Sequence, residues 1–291
     1  MEHDYKPGDV VVFKVDEDEL LSVIIGYLTD SDVSHAALIY EDGNFVEMGP
    51  RGIAKTCANV YANAEVYHYR HSKQTDMAKV IKAAKHYLDK DVPYDYPSLV
   101  ILAGLLIYHK QKYTPKYKTI VDFILGIACW SLDELLKKIG GKKNGAMMCS
   151  QLVYQCFRDA GHKYRLKIKN GVVFESDADD YAIRLIDLVN ENEEMERLEA
   201  FQTPTYDVND INQEDIIRQL HEELINEAEL EDGNYLTDTE LEGTAFVAGK
   251  FLDLLEKAFK KIGPHIPRPS LFITPADICH AQNLSLIEGR N

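Results

Sequence analysis

Cys149 sits where a thiol can act as a nucleophile. It lies near the start of a helix predicted over Ala146–Ala160, in the run Met-Met-Cys-Ser-Gln-Leu-Val-Tyr. The unpaired N–H groups and positive dipole end of a helix N-terminus stabilise a thiolate. The same groups can receive the charge that develops on an attacked carbonyl oxygen. A thiolate nucleophile also needs an imidazole to hold its charge and carry a proton, and a polar group to orient that ring. Among ten histidines, His35 is out of pattern because it opens a strand of small and apolar residues, SHAALIY. Glu47 is likewise a charge inside an apolar strand, NFVEM. Each residue also has a plain reading: core filling for the cysteine, a solvent-facing strand end for the histidine.

The two strands read as a hairpin about Asp42-Gly43. A three-residue loop of Asp42-Gly43-Asn44 pairs Glu41 with Phe45 and Ile39 with Glu47, which puts His35 and Glu47 on one face. A two-residue Asp42-Gly43 turn shifts the register by one and sends Glu47 to the other face. A Cys–His–Glu site therefore requires the three-residue loop. Around it, strands are predicted at Asp9–Phe13 and Glu65–Tyr69, and short ones near Tyr164–Ile168 and Val172–Phe174. Helices are predicted at Asp16–Leu28, with acids in the first turn, and at Asp76–Leu88, with Val80, Ala84 and Leu88 on one stripe. Further helical stretches are Ser98–Tyr108, Thr119–Lys138, most of the segment after Glu175, and Gly249–Ile262. Thr274-Pro275 is an N-cap and first-turn proline.

Composition narrows the class. The chain has 291 residues, 45% of them apolar and 27% charged, as in a folded globular protein. No run approaches the roughly 18 apolar residues of a membrane span; the apolar stretches 98–108 and 120–130 read as core helices, with peripheral membrane contact or the lining of an acyl pocket as the alternative. Five cysteines without tight spacing argue against a disulfide scaffold and for a reducing compartment. The N-terminus shows no basic and apolar leader, so the expected location is cytoplasmic. The net charge of −16 is uneven. Residues 175–243 hold 23 acids against three bases, a net −20, which leaves +4 for the rest. That segment fits a solvated helical face, or a cover for a basic site or docking element for a basic partner. Nucleic-acid binding is not expected, since phosphate contacts need a strongly basic surface. No Cys/His spacing fits zinc, no acidic loop fits calcium and no glycine loop fits phosphate, so neither metal nor cofactor is expected. The remaining cysteines, Cys57, Cys129, Cys156 and Cys279, read as core filling. His68 and His71 read as surface groups.

SHAALIYEDGNFVEMG, followed about a hundred residues later by MMCSQLVYQCFRDAG, resembles the permuted NlpC-type papain-like cysteine peptidases. In that branch the histidine strand precedes the cysteine helix, and a polar third residue follows the histidine by twelve positions, as Glu47 follows His35. Pro93-Tyr94-Asp95-Tyr96 is similar to its tyrosine-containing turn, and Thr274-Pro275-Ala276-Asp277 to its terminal Thr-Pro-x-Asp motif. The resemblance covers residues 5–165 and 270–285. It implies Cys149 as nucleophile, His35 as base, Glu47 as orienting residue and Tyr94 as an oxyanion-side hydroxyl. The implied fold is α+β and circularly permuted papain-like, with a small antiparallel barrel-like sheet packed on the nucleophile helix and added helices. The expected organisation is a catalytic core over 1–165 (with a helical elaboration at 95–145), an acidic, mostly helical insertion at 166–270, and a segment at 271–291 that returns to the core. Three functions stay open. The first is a thiol hydrolase cleaving a peptide or isopeptide amide, including cell-wall-type peptides. The second is an acyltransferase or lipid-ester enzyme like the lecithin:retinol acyltransferase group. The third is a non-catalytic small-molecule or lipid-binding protein.

Overall fold

A computed structural model describes residues 4–41, 43–72, 76–95, 98–99, 102–103, 126, 128–129, 146–168, 250, 254, 257 and 272–289. The chain divides into two compact units. One comprises residues 1–95, 144–176 and 267–291, and the other residues 96–143 and 177–266. In the second unit the described residues are helical, and Leu102, Ala103, Ala128 and Cys129 are buried. Most of the apolar stretches 98–108 and 119–138, the acidic segment 175–243, the strand at 172–174 and most of the helix at 249–262 lie outside the described residues.

The first unit is α+β. Its strands are β1 (Val10–Lys14), β2 (Val33–Glu41), β3 (Asn44–Gly49), β4 (Gly52–Cys57), β5 (Val66–His71) and β6 (Leu284–Gly289). They form one antiparallel sheet in the order β4-β3-β2-β1-β5-β6. The sheet is open, with β4 and β6 at its edges, where a barrel-like closure was expected. Helices α1 (Leu20–Thr29), α2 (Ala78–Asp89), α3 (Cys149–Asp159) and α4 (Pro275–Cys279) accompany it. Both β4 and β6 are additional to the strands expected from sequence. Neither has a run of β-branched residues, and each is defined by the neighbour it pairs with.

Local chemistry moves several boundaries. α1 begins at Leu20, so the acids Asp16–Glu19 precede it and none lies in its first turn. Asp16 instead accepts the Asp18 N–H at 3.0 Å, a local turn that competes with the helix. On α2 the buried stripe is Val80, Ala84 and Tyr87; Leu88 is half-exposed, and Tyr87 turns inward to bond Asp159 of α3. α4 has the expected cap: Thr274 Oγ1 accepts the Asp277 N–H at 3.1 Å, Asp277 Oδ2 accepts the Thr274 N–H at 2.8 Å, and Pro275 fills the first turn.

Two histidines expected at the surface are buried. His68 is 2% exposed because Nε2 lies 2.7 Å from Asp9 Oδ2, and Asp9 also accepts from the Arg70 guanidinium. Burial alone would raise the Asp9 carboxyl, but Arg70, His68 and the Lys6 N–H together hold it below the ordinary range. His71 stacks on Phe157 and accepts at Nε2 from Asn283 Nδ2, 2.8 Å away. A residue-type rule places histidine outside; here partners carried by distant segments offset the cost of burial. Cys57 is corrected in the other direction, being exposed at the end of β4, and Cys279 is half-buried.

Gly52 opens β4 at φ +100°, and a Cβ there would stand 2.9 Å from the Val92 carbonyl oxygen, which accepts the Ile53 N–H. Gly43, at φ +74°, has open space around its Cα. Gly52→Ala is expected to cost about 2–3 kcal/mol and Gly43→Ala about 1 kcal/mol. Thermal unfolding separates them, at about 2–4 °C per kcal/mol. Equal losses would mean that backbone conformation alone sets the cost.

Candidate active site

The hairpin reaches the required parity by an unexpected route. Glu41 pairs with Asn44 across Asp42-Gly43, which is the two-residue turn and not the three-residue loop. The register then shifts between Ile39 and Glu41, leaving Tyr40 as a bulge, and continues as Ile39↔Phe45 and Ala37↔Glu47. The bulge cancels the slip that the short turn introduces. His35, Ala37, Phe45 and Glu47 therefore share one face. His35 is the diagonal neighbour of Glu47, within reach of a long side chain. Its Nε2 lies 2.8 Å from Glu47 Oε2.

The other side of the His35 ring meets the cysteine. Cys149 is the first residue of α3, with Met148 as an extended N-cap at ψ 167°. Its sulfur is hydrogen-bonded to His35 and to the backbone N–H groups of Ala36 and Ser150. With Nε2 committed to Glu47, Nδ1 is the ring nitrogen that faces the thiol. The helix entry is fixed from two directions. Met147 donates to Pro93 O at 3.1 Å and accepts from the Asp95 N–H at 3.0 Å, and Ser150 Oγ donates to Ile273 O at 2.5 Å.

These contacts set the protonation states. Burial pushes the Cys149 thiol up, but the charge and hydrogen bond of His35, with the N–H groups of Ala36 and Ser150, bring it below an ordinary cysteine. Burial pushes His35 down, but Cys149 and then Glu47 raise it to about 10. The His35 side chain still keeps 24% of its surface, against 6% for Glu47, so one edge of the ring reaches solvent. Burial likewise raises Glu47, and bonds from His35, Thr56 and Tyr61 more than offset it. The three shifts all favour the charged forms: the Cys149 thiol is pulled down, the His35 ring up and the Glu47 carboxyl down.

Tyr61 and Thr56 were not singled out from sequence. Tyr61 Oη donates to Glu47 at 3.0 Å from both carboxylate oxygens. Its ring packs 4.7 Å from Phe13 and 5.9 Å from Phe45 between centroids. Nothing in its spacing signals this, because a short 3-10 turn at Ala58–Tyr61 delivers it. Thr56 shares the face of Glu47 by alternation on β4, a signal readable only once that strand is recognised. Tyr94 is held by backbone pairing with Met147, two residues before Cys149, and its ring is buried. The groups that shift Cys149 and His35 do not include it.

Among the described residues no group of three or more His, Cys, Asp or Glu is arranged to hold a metal ion, and no helix is long and apolar enough to cross a membrane. No family model matches the chain, and no curated protein matches it.

Because the folded Glu47 carboxyl is depressed, its contribution to stability is present above the ordinary value of 4.5 and is lost as the pH falls through the folded value. Tyr61→Phe removes one donor and keeps the ring. It is expected to cost about 1.5–3 kcal/mol at pH 7, as for hydrogen bonds to charged groups, with the deficit shrinking at acid pH. Urea unfolding of both proteins at pH 7 and near pH 4 measures this. A deficit independent of pH would assign Tyr61 a packing role only.

Proposed function

We propose that the chain is a thiol hydrolase cleaving a peptide or isopeptide amide, of the circularly permuted NlpC-type papain-like group. The observation that carries the reading is Cys149, at the first residue of α3, hydrogen-bonded to a His35 whose Nε2 is 2.8 Å from Glu47. Further support comes from the chain order, with histidine and glutamate strands ahead of the cysteine helix. The contact between Cys149 and His35 also speaks against a non-catalytic binding protein, which would tolerate a ring turned away from the sulfur.

The chemistry follows from the protonation states. The thiolate attacks the amide carbonyl carbon, and the carbonyl electron pair moves to oxygen at the mouth of α3, where backbone N–H groups converge. The imidazolium gives its proton to the departing amine as the C–N bond breaks, leaving a thioester. Neutral His35 then takes a proton from water as its oxygen attacks the thioester carbon. Expulsion of the thiolate restores the ion pair. Glu47 holds the ring in one orientation and keeps the imidazolium state accessible.

The test is the rate of iodoacetamide alkylation of each cysteine against pH, read by peptide mass spectrometry. Exposed Cys57 serves as the internal reference, while burial pushes Cys129 up to about 12 and keeps it slow. Cys149 is expected to react fastest, with its half-maximal rate well below the ~8.5 of a free thiol. His35→Ala removes the largest stabiliser and leaves the burial, so the half-maximal rate moves above 8.5. Reaction of Cys149 no faster than Cys57 in the wild type would refute the proposal.

A further inference from the structure

We propose that Tyr61 is a positioning residue for the second half of the reaction, its hydroxyl holding Glu47 in the orientation that keeps His35 ready as the base that hydrolyses the thioester. The inference rests on the thiol-hydrolase reading above. Tyr61 Oη lies 3.0 Å from both carboxylate oxygens of Glu47, so it approaches the group end-on. His35 Nε2 meets Oε2 at 2.8 Å, and Thr56 adds a bond from β4. A donor on one oxygen leaves a three-torsion side chain room to turn, whereas an end-on donor fixes the direction in which the carboxylate points.

Tyr61 is held without help from its hydroxyl. The Ala58 N–H donates to Gly43 O at 2.9 Å, which ties the turn to the hairpin, and the Ala64 N–H donates to Tyr61 O at 3.1 Å. The ring packs on Phe13 and Phe45, and Phe13 lies 5.3 Å from the His35 ring between centroids. The turn thus has other anchors, and the hydroxyl is committed to the carboxylate that touches the base. Burial and the Glu47 charge push the phenol well above its ordinary value, so it stays a donor and transfers no proton.

The two halves of the reaction depend on Glu47 to different degrees. In the resting site His35 has two partners, Cys149 and Glu47. Acylation removes one, because the sulfur is then bonded to the acyl carbon and carries no charge. In deacylation neutral His35 takes a proton from water as the water oxygen bonds to that carbon. The C–S bond then breaks with its electron pair returning to sulfur, which gives the free acid, the thiolate and the imidazolium. Only Glu47 orients the ring at the start of this step, so slack in the carboxylate is felt most there.

Two reactions of Cys149 separate the halves. Alkylation by iodoacetamide needs only the thiolate. Acylation by p-nitrophenyl acetate leaves an acetyl thioester, whose loss from the Cys149 peptide is followed by mass spectrometry once excess ester is removed. Both rates are measured against pH in the full chain for wild type and Tyr61→Phe, which keeps the ring. The plateau of deacylation is expected to fall about tenfold, while that of alkylation stays within about threefold. The half-maximal pH of deacylation is expected to fall as well, since a ring that loses its carboxylate partner returns toward the ordinary histidine value. On a Glu47→Gln background, Tyr61→Phe is expected to change deacylation by less than about threefold, because its effect runs through Glu47. Deacylation in Tyr61→Phe within threefold of wild type overturns the inference. So does an equal fall in both reactions without a shift in pH, or an undiminished loss on the Glu47→Gln background. Wild-type Cys149 that is neither alkylated ahead of Cys57 nor acylated would instead refute the hydrolase reading, and this inference with it.

Discussion

Cys149 and Glu47 flank one imidazole ring, and a negative charge on either is stabilised when that ring is protonated. Each buried charge costs several kcal/mol when unpaired. Cys149 is 3% exposed and Glu47 4%, so a protonated His35 between them offsets a charge on either. The rest of the local structure completes the compensation. Thr56 and Tyr61 supply donors to Glu47, and backbone N–H groups of Ala36 and Ser150 face the sulfur. The arrangement is coupled: neutralising the ring would strand two anions at once, and removing either anion would leave the ring with less reason to hold its proton.

Holding the ring between the two anions is a problem of register and of helix placement. The Tyr40 bulge returns β3 to the parity that brings Glu47 to the face of His35. A second irregularity, between Phe13 and Lys14 of β1, falls where His35 pairs with Phe13 and Val33 with Lys14, so it bulges Ser34 immediately before the histidine. Ser34 Oγ is tied to Ser22 of α1, 2.5 Å away. At the cysteine, α3 is held at its start by Met147 and Ser150. At its far end Asp159 accepts from Tyr87 of α2 and from Gln155. Other buried polar residues serve the same frame. Asp9 with His68 and Arg70 pins the segment before β1 to β5, and Asn283 joins His71, Arg165 and Lys167 at the start of β6.

The candidate site was largely legible because its residues break local patterns. A histidine and a glutamate in apolar strands, and a cysteine at a helix start, are visible in a few residues of context. The residues that support them were not. Tyr61 is an ordinary tyrosine in an ordinary turn, and Thr56 lies on a strand without a strong β signal. Their importance lies in what they touch, and a hydrogen-bond partner fourteen residues away leaves no periodicity.

Periodicity and turn chemistry determined the central strands, the helices over Ala78–Asp89 and Cys149–Asp159, and the Thr274–Asp277 cap, because each depends on neighbours two to four residues off. Tertiary structure alone decided the bulge at Tyr40, the edge strands β4 and β6, and the burial of His68 and His71. It also decided the meeting of Cys149 with His35, 114 positions away in the chain. Those outcomes depend on partners supplied by distant segments, and the free energy that selects them is gained only when the segments pack.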